Sequence, residues 1–147
     1  MHRPWVRPPT TAEAFESFVA ETGPSRERLL LWWDAGEPEE VLAGYFALNE
    51  IVRGALQSAY LGYWATASSA GKGLMAGGME LLLRHAYREL RLHRVEANVQ
   101  PDNRASIALV RRAGFRKEGF SPKYLKVGGR WRDHERWALT VEDWRRR

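Results

Sequence analysis

Apolar and polar positions alternate along this chain with two different periods, and each change of period marks an element. Residues 10–22, TTAEAFESFVAET, set Ala14, Phe15, Phe18 and Val19 at helical intervals behind Thr10, which stands three residues before Glu13 in the spacing of a capping box. A helix of about three turns is predicted there. The runs RLLLWWDA and EVLAGYFALNE are apolar and strand-length, and they flank the polar AGEPEE, which predicts a β-hairpin. A third strand, SAYLGYWA, is reached through IVRGALQ. Beyond a glycine-rich turn, LMAGGMELLLRHAYREL keeps Leu74, Leu81, Leu82, His85 and Leu90 on a roughly helical period and forms the longest predicted helix.

RVEANV follows as a short strand, and NRASIALVRRA as an amphipathic helix with Gly114 at the place of a C-terminal cap glycine. SPKYLKVGGRWRDHERWALT holds two strand-like runs around VGGR, a hairpin signal. With no repeat and no linker between these elements, residues 1–147 are expected to form one α/β domain. Gly77 and Gly78 each cost a helix roughly 1 kcal/mol against alanine, so close packing of that helix on the sheet is expected at both.

Composition narrows the function classes. The 147 residues are 44% hydrophobic and 28% charged, without an apolar run of membrane-spanning length, which predicts a soluble protein with no membrane partner. The start, MHRPWVRPPTT, is basic but has no apolar stretch behind it, so a secretory signal is not expected and a cytoplasmic location is. The absence of cysteine excludes disulfides, thiolate metal sites and a cysteinyl acyl-enzyme. Four histidines, at positions 2, 85, 93 and 134, show no ligand spacing, and no metal site is expected. The net charge of +5 suits an anionic ligand or a nucleic-acid-rich partner, or else is a solvated basic surface.

The segment 67–78, ASSAGKGLMAGG, carries the candidate chemistry. A strand that ends in a glycine loop and opens a helix aims free backbone N–H groups and the positive end of the helix dipole at one point, where a diphosphate fits. The competing reading is a plain tight turn. The spacing is neither that of a Walker loop nor G-x-G-x-x-G, so ATP and NAD are poor fits.

Three segments in order, LGYWATASSAGKGLM, HRVEANVQPDNRASIALVRRAGFRKEGF and YLKVGGRWRDHERWALT, resemble the GCN5-related N-acetyltransferase (GNAT) superfamily. They are most similar to its branch that acetylates the N-terminal amine of ribosomal proteins, the RimJ and RimL type, and the match is closest to RimJ. The resemblance covers about residues 40 to 144, with Asn103, Ser106, Leu109, Gly114, Phe115, Glu118 and Gly119 as its most specific run. It implies the GNAT fold: a mixed central sheet splayed between two strands, with flanking helices. Members usually carry a strand and helices ahead of the point where this chain starts, so it also implies a domain shortened at its N-terminus, either because the natural start lies upstream or because the sheet has lost an edge strand.

The resemblance implies acetyl-coenzyme A as co-substrate, with the glycine loop around its pyrophosphate through backbone N–H groups of Gly71, Lys72, Gly73 and Leu74. The pantetheine arm would lie in the splay against the main chain of Tyr63, Trp64 and Ala65, with Asn103 reaching it from the next helix. Ser68 stands where the family's loop commonly has Gln or Arg. Trp64 or Ala65 would supply the N–H that holds the carbonyl oxygen. Ser106 would face the departing thiolate as proton donor or hydrogen-bond partner, against the alternative of a serine satisfying its own helix. Glu96 and Asn98 fall on one face of RVEANV, and either would orient a water that takes the amine proton. The competing reading of Glu96 is a carboxylate paired with an arginine.

Tyr124 would bond the acetyl carbonyl or sulfur, or pack at the rim. Asp133 would orient the acceptor or pin the hairpin; His85 reads as a satisfied boundary residue, and His134 falls on the face opposite Asp133. The implied acceptor is a protein N-terminus, in the RimJ type the N-terminal alanine of ribosomal protein five of the small subunit. Association with the ribosome and an oligomer are compatible with this, and specific nucleic-acid binding is not expected. The alternatives are acetylation of a small amine such as an antibiotic or a polyamine, and a non-catalytic module that binds coenzyme A or a protein.

Overall fold

The structure, a computed structural model, describes residues 9–34, 36 and 40–147. The segment with His2 and the residues 35 and 37–39 of the expected hairpin turn lie outside the described residues. The elements follow the order α1 (Ala12–Ala20), β1 (Glu27–Asp34), β2 (Glu40–Val52), β3 (Ser58–Ala65), a 3₁₀ turn (Ala67–Ser69), α2 (Leu74–Arg88), β4 (Arg94–Val99), α3 (Arg104–Arg112), β5 (Arg116–Val127), β6 (Arg130–Thr140) and α4 (Val141–Arg145).

One six-stranded sheet has the order β1-β2-β3-β4-β6-β5. Every neighbouring pair is antiparallel except β3 and β4, whose parallel ladder runs only from Ser58↔Arg94 to Leu61↔Ala97. Beyond that rung β3 stays paired to β2 as far as Gly44↔Ala65, while β4 stays paired to β6 as far as Val99↔Glu135. Each strand therefore follows its antiparallel partner, and the sheet opens between them.

The core lies where α2 crosses the sheet, with Met79, Leu82, Leu83 and Ala86 buried against Phe46, Leu48, Val95 and Leu139. Gly78 is the close approach: a Cβ there would lie 2.7 Å from Phe46 Cε2 and 2.8 Å from Leu31 Cδ2. Gly77 does not share this role, because the helix turns it outward and nothing lies within 4 Å of its would-be Cβ.

The first cap also differs from expectation. The N-cap of α1 is Thr11, whose hydroxyl accepts from Ala14 N at 3.2 Å, so neither Thr10 nor Glu13 forms the box. A short helix, α4, follows β6 without a signal in the apolar pattern; Thr140 caps it by accepting from Asp143 N at 3.3 Å. It docks on α2 through Trp144 Nε1, which donates to Glu80 at 3.1 Å.

Two bulges shape β5. The register shifts between Lys117 and Gly119, and again between Ser121 and Leu125, where three residues of β5 (122–124) face one of β6, Asp133. The second bulge puts Lys123 at φ +48°, and its N–H donates to Asp133 Oδ1 at 2.7 Å. Asp133 thus pins the hairpin. Among the described residues no helix is long and apolar enough to cross a membrane.

Candidate active site

The glycine turn is anchored before it begins. Ala43 O on β2 accepts from Thr66 N at 2.9 Å, from Thr66 Oγ1 at 3.2 Å and from the buried hydroxyl of Ser69. From this fixed point the chain turns through Gly71 (φ +77°) and Gly73 (φ +74°), left-handed conformations that L side chains rarely adopt. Gly73 is the N-cap of α2 and has no side chain to cap it. The helical ladder starts where Ala76 N donates to Gly73 O at 3.0 Å, so the N–H groups of Leu74 and Met75 precede it.

The residues of the turn divide. Gly71 and Gly73 line a cleft of about 500 Å³ together with Tyr63, Trp64, Ala65, Asn103, Ser106, Leu109 and Arg112. Ser68, Lys72 and Leu74 do not line it. Lys72 N is held by Ser69 O at 3.3 Å, and its ammonium lies 4.4 Å from the centroid of the Trp33 ring. The cation that does line the cleft is Arg112, which in the sequence is one member of a basic run. The signal that singles it out is its place as the last residue of the helix that Asn103 caps.

On the far side of the opened sheet a second cavity, of about 430 Å³, is bounded by Asn49, Glu50, Tyr60, Asn98, Gln100, Tyr124 and His134 among others. Tyr63, Asn103 and Ser106 line both spaces and form the wall where they meet. Asn103 caps α3 by accepting from Ser106 N at 3.1 Å, which fixes the first turn of the helix and the serine with it. The hydroxyls of Tyr63 and Ser106 are in hydrogen-bond contact. Burial pushes the Tyr63 phenol up to about 12, so it stays protonated near neutral pH, and either hydroxyl of the pair can donate to the other.

The carboxylates are placed elsewhere. Glu96 lines neither space and is paired with Arg94 Nε at 2.8 Å; Arg94 also pairs with Glu118. Asn98, its neighbour on the same strand face, does line the second cavity, and its Oδ1 is buried with no hydrogen-bond partner. Tyr124 lies at the edge of the His134 ring, with centroids 6.2 Å apart, and its hydrogen bond to Tyr60 pushes that phenol up to about 12. His85 is satisfied by Glu27 at 2.9 Å, outside both spaces.

Periodicity alone assigns no role to His134. Strand alternation puts it opposite Asp133, and the structure agrees, but the cavity it faces exists only because β4 ends while β6 continues.

Residues 1–116 match a family described as an acetyltransferase (GNAT) domain. The chain is 41% identical over 105 residues to the probable N-acetyltransferase YjcK of Bacillus subtilis, a match that covers 71% of this chain and 58% of that protein. It is 40% identical over 106 residues to the ribosomal protein uS5-alanine N-acetyltransferase of Escherichia coli, covering 72% of this chain and 55% of that one. Among solved structures, Mycobacterium smegmatis RimJ in complex with CoA-disulfide superposes with a TM-score of 0.67 at 39% identity, over 70% of this chain and 49% of that chain. The chain thus spans little more than half the length of these curated relatives.

Proposed function

Because the chain belongs to the GNAT acetyltransferase family, we propose that it transfers an acetyl group from acetyl-coenzyme A to the N-terminal α-amine of a protein. In this reading residues 1–147 act as one acetyltransferase domain, and the acceptor is the N-terminal alanine of a small-subunit ribosomal protein. The observation that carries it is the parallel ladder that stops at Leu61↔Ala97, leaving a cleft that leads from the glycine turn to Ser106 and a second cavity behind it.

The residues present fit the co-substrate. Gly71, Gly73 and the first turn of α2 offer backbone N–H groups and a helix dipole to a diphosphate, and Arg112 adds a cation. The β3–β4 ladder ends at Leu61↔Ala97, and Tyr63, Trp64 and Ala65 carry β3 on beyond it along the cleft, where the main chain of that strand would meet an amide-bearing arm. The bound thioester supplies an activated acetyl group. Ser106 and Tyr63 are hydrogen-bonded through their hydroxyls; in this reading the phenol donates and the serine keeps its own proton for a thiolate.

The acceptor class follows from charge. An α-amine, with a pKa of about 7.7 to 8.0, is partly neutral near pH 7, and a lysine at about 10.4 is not. Among the described residues that line the second cavity, the carboxylate is Glu50, at an exposed bulge, whereas a polyamine with several cations calls for several. Relatives named for ribosomal-protein alanine acetylation support the same choice.

The test is consumption of acetyl-coenzyme A with peptides that start with alanine, with N-blocked lysine peptides and with polyamines. Turnover confined to the free α-amine is expected. Turnover confined to polyamines would replace the acceptor, and binding of the co-substrate without turnover of any amine would remove the enzyme reading.

A further inference from the structure

We propose that His134 is the proton acceptor for the incoming amine, its Nε2 taking a proton from the amine nitrogen as that nitrogen attacks the thioester carbonyl. The inference deepens the acetyl-transfer reading above and rests on it.

The geometry begins with where β4 ends. Its last rung on β6 is Val99↔Glu135, and His134 is the next residue of β6, so no neighbouring strand covers it on that side. On the other side it pairs with Ser121, the last regular position before the bulge that carries Tyr124. His134 is 3% exposed and lines the second cavity.

The proton on the ring is assigned by one bond. Nδ1 lies 3.0 Å from Arg132 O, and a carbonyl only accepts, so Nδ1 carries the hydrogen. Nε2 is left with its lone pair and makes no hydrogen bond to any described residue. In the same cavity Asn98 Oδ1 is a buried acceptor without a donor. Two unserved acceptors in one cavity call for a ligand rich in N–H, and a primary amine offers two such hydrogens beside the lone pair that attacks.

The other bases are excluded by their partners. Glu96 is held by Arg94, and Asp133 faces away and holds Lys123 N. Glu50 stands exposed to solvent where it lines the cavity, in contrast to the buried His134 ring. Burial is the largest influence on His134 and holds its pKa below 6.5, against the opposing pull of the Arg132 carbonyl and the Asp133 charge. The imidazole is therefore neutral near pH 7. The titratable groups that share its cavity from other elements are Glu50 on β2, Tyr60 and Tyr63 on β3, and Tyr124 on β5.

The step balances. The nitrogen lone pair forms the new N–C bond, the C–S bond breaks with its electron pair going to sulfur, and one amine proton passes to Nε2. The thiolate takes the proton of the Ser106 hydroxyl, and the imidazolium's proton, passed on through water, restores that hydroxyl, so no net proton is released.

The experiment is the pH dependence of kcat/KM for an alanyl peptide, in the wild-type chain and in His134→Gln and His134→Ala. Below the α-amine pKa of about 8 the wild type is expected to fall with slope 1 and, below the histidine pKa, with slope 2; the variants keep slope 1 throughout. His134→Gln is expected to lower kcat by about 10²-fold with the KM for acetyl-coenzyme A little changed, and added imidazole to restore part of the rate of His134→Ala. A readout free of turnover is ¹⁵N NMR of the wild-type ring at pH 7, where Nε2 is expected unprotonated and shifted by the alanyl peptide.

His134→Gln within about twofold of the wild-type kcat with an unchanged profile overturns the assignment, and so does a ring protonated at Nε2. A wild-type chain that acetylates no amine instead removes the transfer reading, and this base with it.

Discussion

The Tyr63 phenol on β3 and the Ser106 hydroxyl on α3 meet in a hydrogen bond across the open end of the sheet, in the wall between the two cavities. A strand and a helix that share no backbone pairing are thereby tied at the point where thioester and amine would come together. The phenol keeps its proton at every working pH, because burial pushes it up to about 12.

Ser106→Ala is expected to lower kcat by about 10²-fold while the KM values change little, since it removes a proton source and not a binding surface. Tyr63→Phe should give a smaller fall, because the serine keeps its own hydroxyl. Steady-state kinetics on the alanyl peptide separate the two, and a raised KM with unchanged kcat in either variant would contradict these roles.

Adjacent glycines in α2 should respond with opposite sign. Gly78→Ala drives a Cβ to 2.7 Å from Phe46 Cε2 and 2.8 Å from Leu31 Cδ2, and overpacking of this kind costs on the order of 1–3 kcal/mol, more than the helix propensity returns. Gly77→Ala meets nothing within 4 Å and should stabilise by roughly 0.5–1 kcal/mol. Urea denaturation of the two variants measures both.

Glu96→Gln is expected to leave kcat within about threefold of wild type, because the Glu96 carboxylate is engaged by Arg94 and lines neither cavity. A fall comparable to that of Ser106→Ala would return Glu96 to the chemistry. The same assay carried out on Asn98→Ala should show the larger loss, since Asn98 does face the acceptor space.

Acid stability should depend on Glu118. Its hydrogen bond from Arg94, more than any other influence, holds its carboxyl below the ordinary 4.5. A carboxylate whose folded pKa is depressed contributes stability above its unfolded value and loses it as pH falls through the folded one. The stability difference between wild type and Glu118→Gln should therefore be constant from neutrality to about pH 5 and shrink below about 4.5. The group is partly exposed, so the effect is modest. Denaturant midpoints at pH 7 and pH 3.5 are the measurement.

The hydrophobic periods are enough for β1 to β4, β6, α2 and α3, because each carries an apolar face packed on one side, whereas β5 buries none of its residues and is legible only through the VGGR hairpin signal. They are not enough for α4, five residues long and held by a Thr140 cap and a tryptophan anchor. Nor does the pattern separate Gly77 from Gly78, since composition does not say which side of a turn faces Phe46. The glycine turn is legible because few uses exist for such a strand-turn-helix junction. His134 is not: its burial depends on the different lengths of β4 and β6 and on a bulge in β5, and these are properties of pairing between distant segments.

The short parallel ladder also sets the order of assembly. β1, β2 and β3 are consecutive in the chain and neighbours in the sheet, and β5 and β6 likewise, so both halves of the sheet can close over short separations in sequence. β4 must find β3 across the whole of α2 and find β6 across α3 and β5, which makes its docking the slow, high-contact-order event. The clefts exist only once that strand is in place. On the acetyl-transfer reading, the site for coenzyme A is then expected to form late in folding, and a slow refolding phase should coincide with the return of coenzyme A binding.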